Sequence, residues 1–339
     1  MNFKEYIEAN RTAVYSEIMK YLPLKDPLEH YRIVREYSER MGSYRRPGLL
    51  MLCGEMFGAK KEDLFLPAAA MQASEDWMLI HDDIEDDSEM RRGKPALHKL
   101  YGSEISLNAG DAVQMTMWKM IEDYIIKTGS ERGAPIFDKF YDMLEFTVEG
   151  QYLDINFMRS HELRSATESM YYRIVESKTC YYTVYGPMQL GAMVAGKSGP
   201  ELEMLKDIGK PAGVAFQLVD DILDMIADEK SFGKKRYGDL YEGKLTLIML
   251  HAYKKAKKDE KDRIDKIYAK RRHEKSEDEI DFLVKMVDKY HGIEYANEVA
   301  GKYGQQAKNA VEKYRSRLPK NEYTGIMLSA MEELYVRKK

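Results

Sequence analysis

Helical periodicity along almost the whole sequence is the feature that most restricts the fold of this 339-residue chain. Apolar residues recur at i, i+3, i+4 and i+7 in segment after segment, a spacing that is typical of amphipathic α-helices. Ten prolines interrupt the chain, and several, such as Pro23, Pro67 and Pro319, are expected between helices. Because convincing strand alternation is lacking, the sequence predicts an all-α protein with a single domain over residues 1–339.

Charge and hydropathy exclude several classes of function. The formal net charge is −4, and lysines and arginines are spread along the chain, so no nucleic-acid partner is predicted. No run of about 18 apolar residues occurs, so no transmembrane segment is expected. The amphipathic N-terminus lacks the apolar centre of a signal peptide, which favours a cytoplasmic protein. The lysine-rich stretch from Tyr253 to Glu279 is interpreted as a pair of solvated helices.

Two aspartate clusters of the same form stand out against this helical background. Each has carboxylates at positions i, i+1 and i+4, and on a helix positions i and i+4 share one face. The clusters are Asp82, Asp83 and Asp86, and Asp220, Asp221 and Asp224. Gathered carboxylates repel one another unless a cation offsets them. Because Mg²⁺ prefers oxygen ligands and is often shared with substrate phosphates, the clusters predict a Mg²⁺-diphosphate site.

Cationic side chains follow both clusters along the chain. Arg91 and Arg92 come just after the first cluster and could supply forked donors to phosphate oxygens. Lys234 and Lys244 follow the second cluster, whose acids are embedded among apolar residues. Exposed helices rarely carry that pattern, so a buried functional role is favoured over a solvated surface.

In these motifs the chain resembles the trans-prenyl diphosphate synthase family, which includes farnesyl and geranylgeranyl diphosphate synthases. The resemblance extends over approximately residues 40–250. Besides the two clusters, it is carried by Ala68-Ala69-Ala70, Gly110-Asp111, Gly150-Gln151 with Asp154, Lys178-Thr179, Phe216-Gln217 and Gly243-Lys244. The resemblance implies an isoprenoid synthase-type helical bundle around a deep central cavity, usually found as a homodimer.

The resemblance also implies a reaction and a role for each motif. Mg²⁺, with three ions expected, would be held by the six aspartates and would assist ionisation of an allylic diphosphate. Isopentenyl diphosphate would then attack the cation, so that a proton leaves and the chain grows by five carbons. The residues implied to hold the allylic diphosphate are Arg91, Lys178, Lys234 and Lys244. The candidate catalytic residues are Lys178, Thr179 and Gln217, the last two for steadying the cation or accepting the proton.

The chain departs from the family where isopentenyl diphosphate should bind. The usual motif Gly-Lys-Arg-x-Arg-Pro reads Gly-Ser-Tyr-Arg-Arg-Pro over residues 42–47, so that Ser43 replaces the lysine while Arg46 retains the later arginine. A second ligand, ordinarily His or Gln, is Glu75, seven residues before Asp82. Two like charges about 4 Å apart cost about 4 kcal/mol at an effective dielectric of about 20. Glu75 should therefore weaken the site unless it turns away or pairs with an arginine.

Two interpretations of this departure stay open. In the first, Arg45, Arg92 and the basic tail Arg337-Lys338-Lys339 compensate, and the protein is a short-chain trans-prenyl diphosphate synthase. In the second, the protein is a class I terpene synthase-like enzyme or a prenyltransferase with an altered acceptor. A non-catalytic partner subunit is a further alternative, but such a subunit need not keep six aspartates.

Product length should depend on the residues one helical turn before the first cluster. Those positions hold Trp77 and Met78, the residues five and four places before Asp82. The resemblance implies that they line the pocket for the growing tail. A tryptophan there would close the pocket early, which favours a product of 15 or 20 carbons.

Overall fold

The structure is a computed structural model that describes residues 1–160, 162–226 and 236–335. Its helices up to residue 160 are α1 (Phe3–Tyr21), α2 (Leu28–Glu39), α3 (Arg45–Met56), α4 (Lys61–Glu85), α5 (Leu97–Tyr101), α6 (Ser103–Thr128) and α7 (Ser130–Ser160). Those that follow are α8 (Glu168–Ile174), a π-helix (Val175–Tyr185), α9 (Gly186–Val194), α10 (Pro200–Ile226), α11 (Gly238–Glu242), α12 (Leu247–Lys255), α13 (Lys258–Tyr268), a 3-10 helix (Arg272–Glu274), α14 (Glu277–Lys289), α15 (Gly292–Tyr314) and α16 (Glu322–Tyr335). The predicted all-α class is confirmed.

A short antiparallel pairing interrupts the helices just after the first aspartate cluster. Strand β1 (Met90–Arg91) pairs with β2 (Lys94–Pro95), and Arg91 is opposite Lys94. The sequence did not predict these strands, because two residues are too few to show strand alternation. The hairpin places two consecutive arginines, Arg91 and Arg92, immediately beyond the end of α4.

The residues group into two compact units. The first comprises Met1–Leu144, Tyr182–Asp207 and Lys313–Ala330. Within it, α4 packs along α6, and α3 packs against both α4 and α9. Leu50, Ala69 and Ile121 from these helices are fully buried, so the unit has an apolar core of its own.

The second unit comprises Glu145–Tyr181, Ile208–Glu312 and Met331–Lys339. Within it, α12 packs against α8 and α14, and α11 packs against α14 and the 3-10 helix. The single domain over residues 1–339 stays a prediction. No helix in the described parts of the chain combines the length and the apolarity that a membrane span needs.

Helix ends follow local sequence signals, whereas Pro67 departs from its expected place between helices. Asn2 and Glu5 form a capping box at the start of α1, and Ser276 and Glu279 form another at the start of α14. Pro67, which was expected between helices, lies inside α4. This prediction is wrong because the buried side chains around Pro67 keep α4 packed despite the missing backbone donor.

Candidate active site

The first aspartate cluster lies at the C-terminal end of α4, where the hairpin brings Arg91 against it. Asp83 is fully buried and accepts hydrogen bonds from the hydroxyl of Tyr37 and from the Arg91 guanidinium, whose Nε lies 2.9 Å from Oδ1. Nη2 of Arg91 also lies 3.4 Å from Oδ2 of Asp82. Burial disfavours the guanidinium charge, but Asp83 and Asp82 outweigh it and raise the pKa of Arg91. Asp83 therefore anchors Arg91 beside the cluster.

Glu75, which was expected to repel a diphosphate, is paired with two arginines. Its Oε2 lies 3.1 Å from Nη1 of Arg46, and its Oε1 lies 3.6 Å from Nη2 of Arg92. The Glu75 side chain is 7% exposed. Burial raises the pKa of Glu75, but the charges of Arg46 and Arg92 outweigh burial and hold that pKa below its usual value. Glu75 is therefore ionised at neutral pH and shares its single negative charge between the two arginines.

Further contacts hold these arginines in place. Nη2 of Arg92 lies 2.8 Å from Oδ1 of the fully buried Asp76, a second acid next to Glu75. Nη2 of Arg46 donates to Oγ1 of Thr183 at 3.0 Å, and its guanidinium carbon lies 4.6 Å from the centre of the Tyr182 ring. The two arginines and two acids form one connected cluster inside the first unit, in which burial raises the pKa of Asp76.

Tyr44 is a departure that the sequence reasoning missed. It precedes α3 in the left-handed region, with φ 52°, and is 2% exposed. It occupies the arginine position of Gly-Lys-Arg-x-Arg-Pro, so two cations of that motif are replaced here, by Ser43 and Tyr44. The hydroxyl of Tyr44 has no hydrogen-bond partner among the described residues. Aligning all six residues of the motif would have shown this second loss.

The second unit positions Lys178 and Thr179 on the π-helix. Helices with i→i+5 hydrogen bonds are rare and are often found at functional sites. Gly150 of α7 allows a close approach, because a Cβ there would lie 2.4 Å from the backbone nitrogen of Lys178. One turn further along α7, Oδ2 of Asp154 lies 2.7 Å from Nζ of Lys178. The glycine thus sets the spacing at which this lysine meets its carboxylate.

A chain of hydrogen bonds connects Thr179 with the second aspartate cluster. Oγ1 of Thr179 donates to Oε1 of Gln217 at 2.9 Å, and Nε2 of Gln217 donates to Oδ1 of Asp221 at 2.8 Å. The buried hydroxyl of Tyr171 donates to Oδ2 of Asp221 at 2.9 Å. Burial first, and then the neighbouring carboxylates, raise the pKa of Asp221 to about 7. In the absence of a cation, this carboxyl therefore titrates near neutrality.

The last aspartate of the second cluster holds the start of α11. Oδ1 of Asp224 accepts from the backbone nitrogen of Gly238 at 3.1 Å, and Oδ2 accepts from that of Asp239 at 3.2 Å. Burial and the charge of Asp224 raise the pKa of Asp239. Just after α11, Nζ of Lys244 lies 2.6 Å from Oε2 of Glu242. The sequence analysis gave no role to Asp239, although it singled out the nearby Gly243-Lys244 pair.

A family comparison decides what kind of protein this geometry belongs to. The polyprenyl synthetase family matches residues 29–287, a range that includes both aspartate clusters and the residues just described. The chain belongs to the polyprenyl synthetase family. Membership confirms the predicted prenyltransferase class.

Individual prenyl diphosphate synthases are similar to this chain over most of their length. The geranylgeranyl diphosphate synthase of Methanosarcina mazei is 31% identical over 319 residues, which cover 93% of each chain. The geranylfarnesyl diphosphate synthase of Aeropyrum pernix is 33% identical over 284 residues, covering 82% of this chain and 84% of that protein. The crystal structure of geranylgeranyl pyrophosphate synthetase from Pyrococcus horikoshii matches with a TM-score of 0.86 at 26% identity, covering 99% and 98%. These similarities favour a prenyl diphosphate synthase over the terpene synthase-like or altered-acceptor alternative.

The predicted site residues fall into two groups, one in each unit. The first unit holds the first cluster with Arg91, Arg92, Arg46, Trp77 and Met78, and the second unit holds the second cluster with Lys178, Thr179, Gln217 and Lys244. Lys234 and the tail Arg337-Lys338-Lys339 lie outside the described residues.

The predicted tail-pocket residues differ in their surroundings. Trp77 is buried, with its ring edge-on to that of His81 and 6.2 Å from it, whereas Met78 is half-buried. The Trp77 indole nitrogen has no hydrogen-bond partner in the described parts of the chain. Their role in setting product length stays a prediction.

The donor chemistry of both clusters fits Mg²⁺. Among the described residues, no three acidic, histidine or cysteine side chains are already arranged around one point as ligands. That is compatible with Mg²⁺, which keeps several waters and is usually held by one or two carboxylates together with substrate phosphates. In the first cluster, Asp82, Asp83 and Asp86 stay the predicted metal ligands, and Asp83 already accepts hydrogen bonds from Arg91 and Tyr37.

Proposed function

We propose that this member of the polyprenyl synthetase family condenses an allylic diphosphate with isopentenyl diphosphate to form geranylgeranyl diphosphate. The observation that carries the proposal is the hydrogen-bonded chain from Thr179 through Gln217 to Asp221, which lies within the family match. It joins the candidate cation-stabilising groups to a candidate metal-binding carboxylate. The similar geranylgeranyl and geranylfarnesyl diphosphate synthases support a product of this size.

The basic side chains would bind the diphosphate of the allylic substrate. The described candidates are Arg91, Lys178 and Lys244, and each is held near a carboxylate that fixes its position. Mg²⁺, with three ions proposed, would be held by the clustered aspartates and would neutralise charge that develops on the leaving diphosphate. The cationic side chains then stabilise the same oxygens as the allylic carbon–oxygen bond breaks.

The remaining steps make one carbon–carbon bond and release one proton. The double bond of isopentenyl diphosphate attacks the allylic cation, and the adjacent carbon then loses a proton to the released diphosphate. Thr179 Oγ1 and Gln217 Oε1 are oxygens that could steady the positive charge. Their mutual hydrogen bond orients both groups before substrate enters, so little reorganisation is needed during the reaction.

The acceptor must compete with Glu75 for its arginines. Arg46 and Arg92 are the cations proposed for isopentenyl diphosphate, and both are paired with Glu75. Binding therefore requires the diphosphate to displace or share these contacts. We expect elongation with weakened affinity for the acceptor, because both arginines are already paired with acids.

Product identification tests the proposed function. Purified protein is supplied with Mg²⁺ and dimethylallyl, geranyl or farnesyl diphosphate, each with and without isopentenyl diphosphate. We expect elongated diphosphates only when isopentenyl diphosphate is present, and none when a chelator removes Mg²⁺. Hydrocarbons or alcohols formed without isopentenyl diphosphate, and no elongation with it, would contradict the proposal.

We also propose a cytoplasmic homodimer with α6 at its interface. Ile105, Met115 and Ile126 are each half or more exposed, and their spacing of about three turns places them on one face of α6. Light scattering should give a dimer for the wild type and a monomer for Met115→Lys. The matched control, Leu24→Lys, changes an exposed apolar residue outside this face and should stay dimeric. A monomeric wild type, or a dimeric Met115→Lys variant, would contradict the proposed interface.

A further inference from the structure

A buried lysine lies within the stretch that the sequence suggested was solvated. Lys275 follows the 3-10 helix and is 6% exposed. Its Nζ donates to the carbonyl oxygens of Leu240 at 2.9 Å and Tyr241 at 2.7 Å, and lies 5.3 Å from the centre of the Tyr268 ring. Burial lowers the pKa of Lys275 to about 8. Keeping this ammonium group charged near neutral pH therefore costs free energy. Such a cost calls for an explanation beyond surface solvation.

The contacts of Lys275 complete the C-terminal end of α11. The last carbonyls of a helix lack partners within the helix, and a cation placed there is favoured by the helix dipole. The chain then turns at Gly243, whose φ of 79° lies in the left-handed region. Lys275 therefore fixes the end of a five-residue helix that is too short to be stable by itself.

A second contact ties the same turn to the same helix. Arg272, in the 3-10 helix, forms an ion pair with Glu242, and Glu242 is also paired with Lys244. Residues 272–275 thus contact α11 in two ways. Lys275 binds the backbone carbonyls of Leu240 and Tyr241, and Arg272 pairs with the side chain of Glu242. At its other end, α11 donates two backbone N–H groups to Asp224.

We propose that Lys275 is a positioning residue that holds α11 so that Lys244 and Asp224 are placed for diphosphate binding. Lys275 acts through α11 and does not touch the substrate. This inference rests on the proposed function, because the roles of Lys244 and Asp224 come from it. It assigns a function to a segment outside the motifs that the sequence analysis identified.

Lys275→Met removes the ammonium group and keeps the length of the side chain. We expect the KM for the allylic diphosphate to rise about tenfold, because two charge-assisted hydrogen bonds are lost. The KM for isopentenyl diphosphate should stay within about twofold, since Lys275 contacts α11 and Tyr268 and acts through α11, not through Arg46 or Arg92. Lys275→Arg should recover most of the loss. The matched control, Lys270→Met, removes a lysine of the same segment that is 41% exposed and paired with Glu279, and should behave like the wild type.

Binding of inorganic pyrophosphate with Mg²⁺, measured by calorimetry, separates this inference from the proposed function. Weaker binding to Lys275→Met than to the wild type supports positioning, whether or not the wild type elongates isoprenoids. Equal binding overturns it, and so does an equal rise in both KM values. If Lys275→Met does not fold, Arg272→Gln provides a second test, because it removes the ion pair with Glu242 of α11 at a more exposed position. That variant should show a smaller rise in the allylic KM alone, and no rise would contradict the inference.

Discussion

The carboxylate of Glu75 sits where the family ordinarily has a neutral or weakly basic ligand, and the structure changes what that substitution means. The sequence suggested a repulsive anion beside an incoming diphosphate. Instead, Arg46 and Arg92 bracket the carboxylate, and Asp76 adds a second acid to the pair. On the proposed function, Glu75 would therefore compete with the acceptor diphosphate for Arg46 and Arg92. Removing one partner of such a buried network exposes the charge of the others.

Glu75→Gln should strengthen the binding of isopentenyl diphosphate. The amide still accepts a hydrogen bond but no longer neutralises Arg46 and Arg92. We expect the KM for isopentenyl diphosphate to fall about tenfold, which is less than the full like-charge cost because solvent and substrate relax. Steady-state kinetics with farnesyl diphosphate held at saturation measures this change.

The control for Glu75→Gln is Glu55→Gln, which alters an acid near the C-terminal end of α3, whereas Arg46 lies near the start of that helix. Glu55 accepts hydrogen bonds from Tyr6 and Tyr323, away from the end of α3 that carries Arg46. Its KM for isopentenyl diphosphate should match that of the wild type. An unchanged or higher KM for Glu75→Gln would show that Glu75 does not compete with the acceptor.

The π-helix and the helices packed on it determine the geometry around Lys178. The local sequence of Val175–Tyr185 carries no signal that distinguishes i→i+5 from i→i+4 hydrogen bonding. The Gly150-Gln151 pair was noticed as a motif, but its physical reason is the close approach of α7 to the π-helix backbone. A side chain at position 150 must push these elements apart.

Gly150→Ala should therefore destabilise the protein and slow the reaction. The added Cβ meets backbone at 2.4 Å and cannot be relieved by rotating a side chain, so we expect a loss of about 1–3 kcal/mol in the free energy of unfolding. We also expect a lower kcat, because Lys178 moves relative to Asp154. Denaturant unfolding and kcat measurements check both effects.

Gly301→Ala is the matched control for Gly150→Ala, because Gly301 is helical and a Cβ there meets nothing within 4 Å. This variant should gain about 0.5–1 kcal/mol from reduced backbone entropy in the unfolded chain, with kcat unchanged. Equal stability changes at the two glycines would contradict the close-packing explanation.

For the chain as a whole, periodic sequence patterns predicted the helices, but they did not predict which side chains pair across distant parts of the chain. Local residue spacing within one sequence is enough to recognise the helical class, both aspartate clusters and the arginines after Asp86. The pairing of Glu75 with Arg46 depends on how α3 packs against α4, which no local pattern specifies. Lys275 was grouped with solvated lysines because charge runs carry no information on burial.

Labelled isopentenyl diphosphate tests the central claim most directly, that the protein elongates an allylic substrate despite Glu75. The protein is incubated with farnesyl diphosphate, Mg²⁺ and carbon-labelled isopentenyl diphosphate. The products are then identified by mass spectrometry. We predict geranylgeranyl diphosphate that carries the label of one acceptor unit. Consumption of farnesyl diphosphate with all label remaining in isopentenyl diphosphate would contradict the claim.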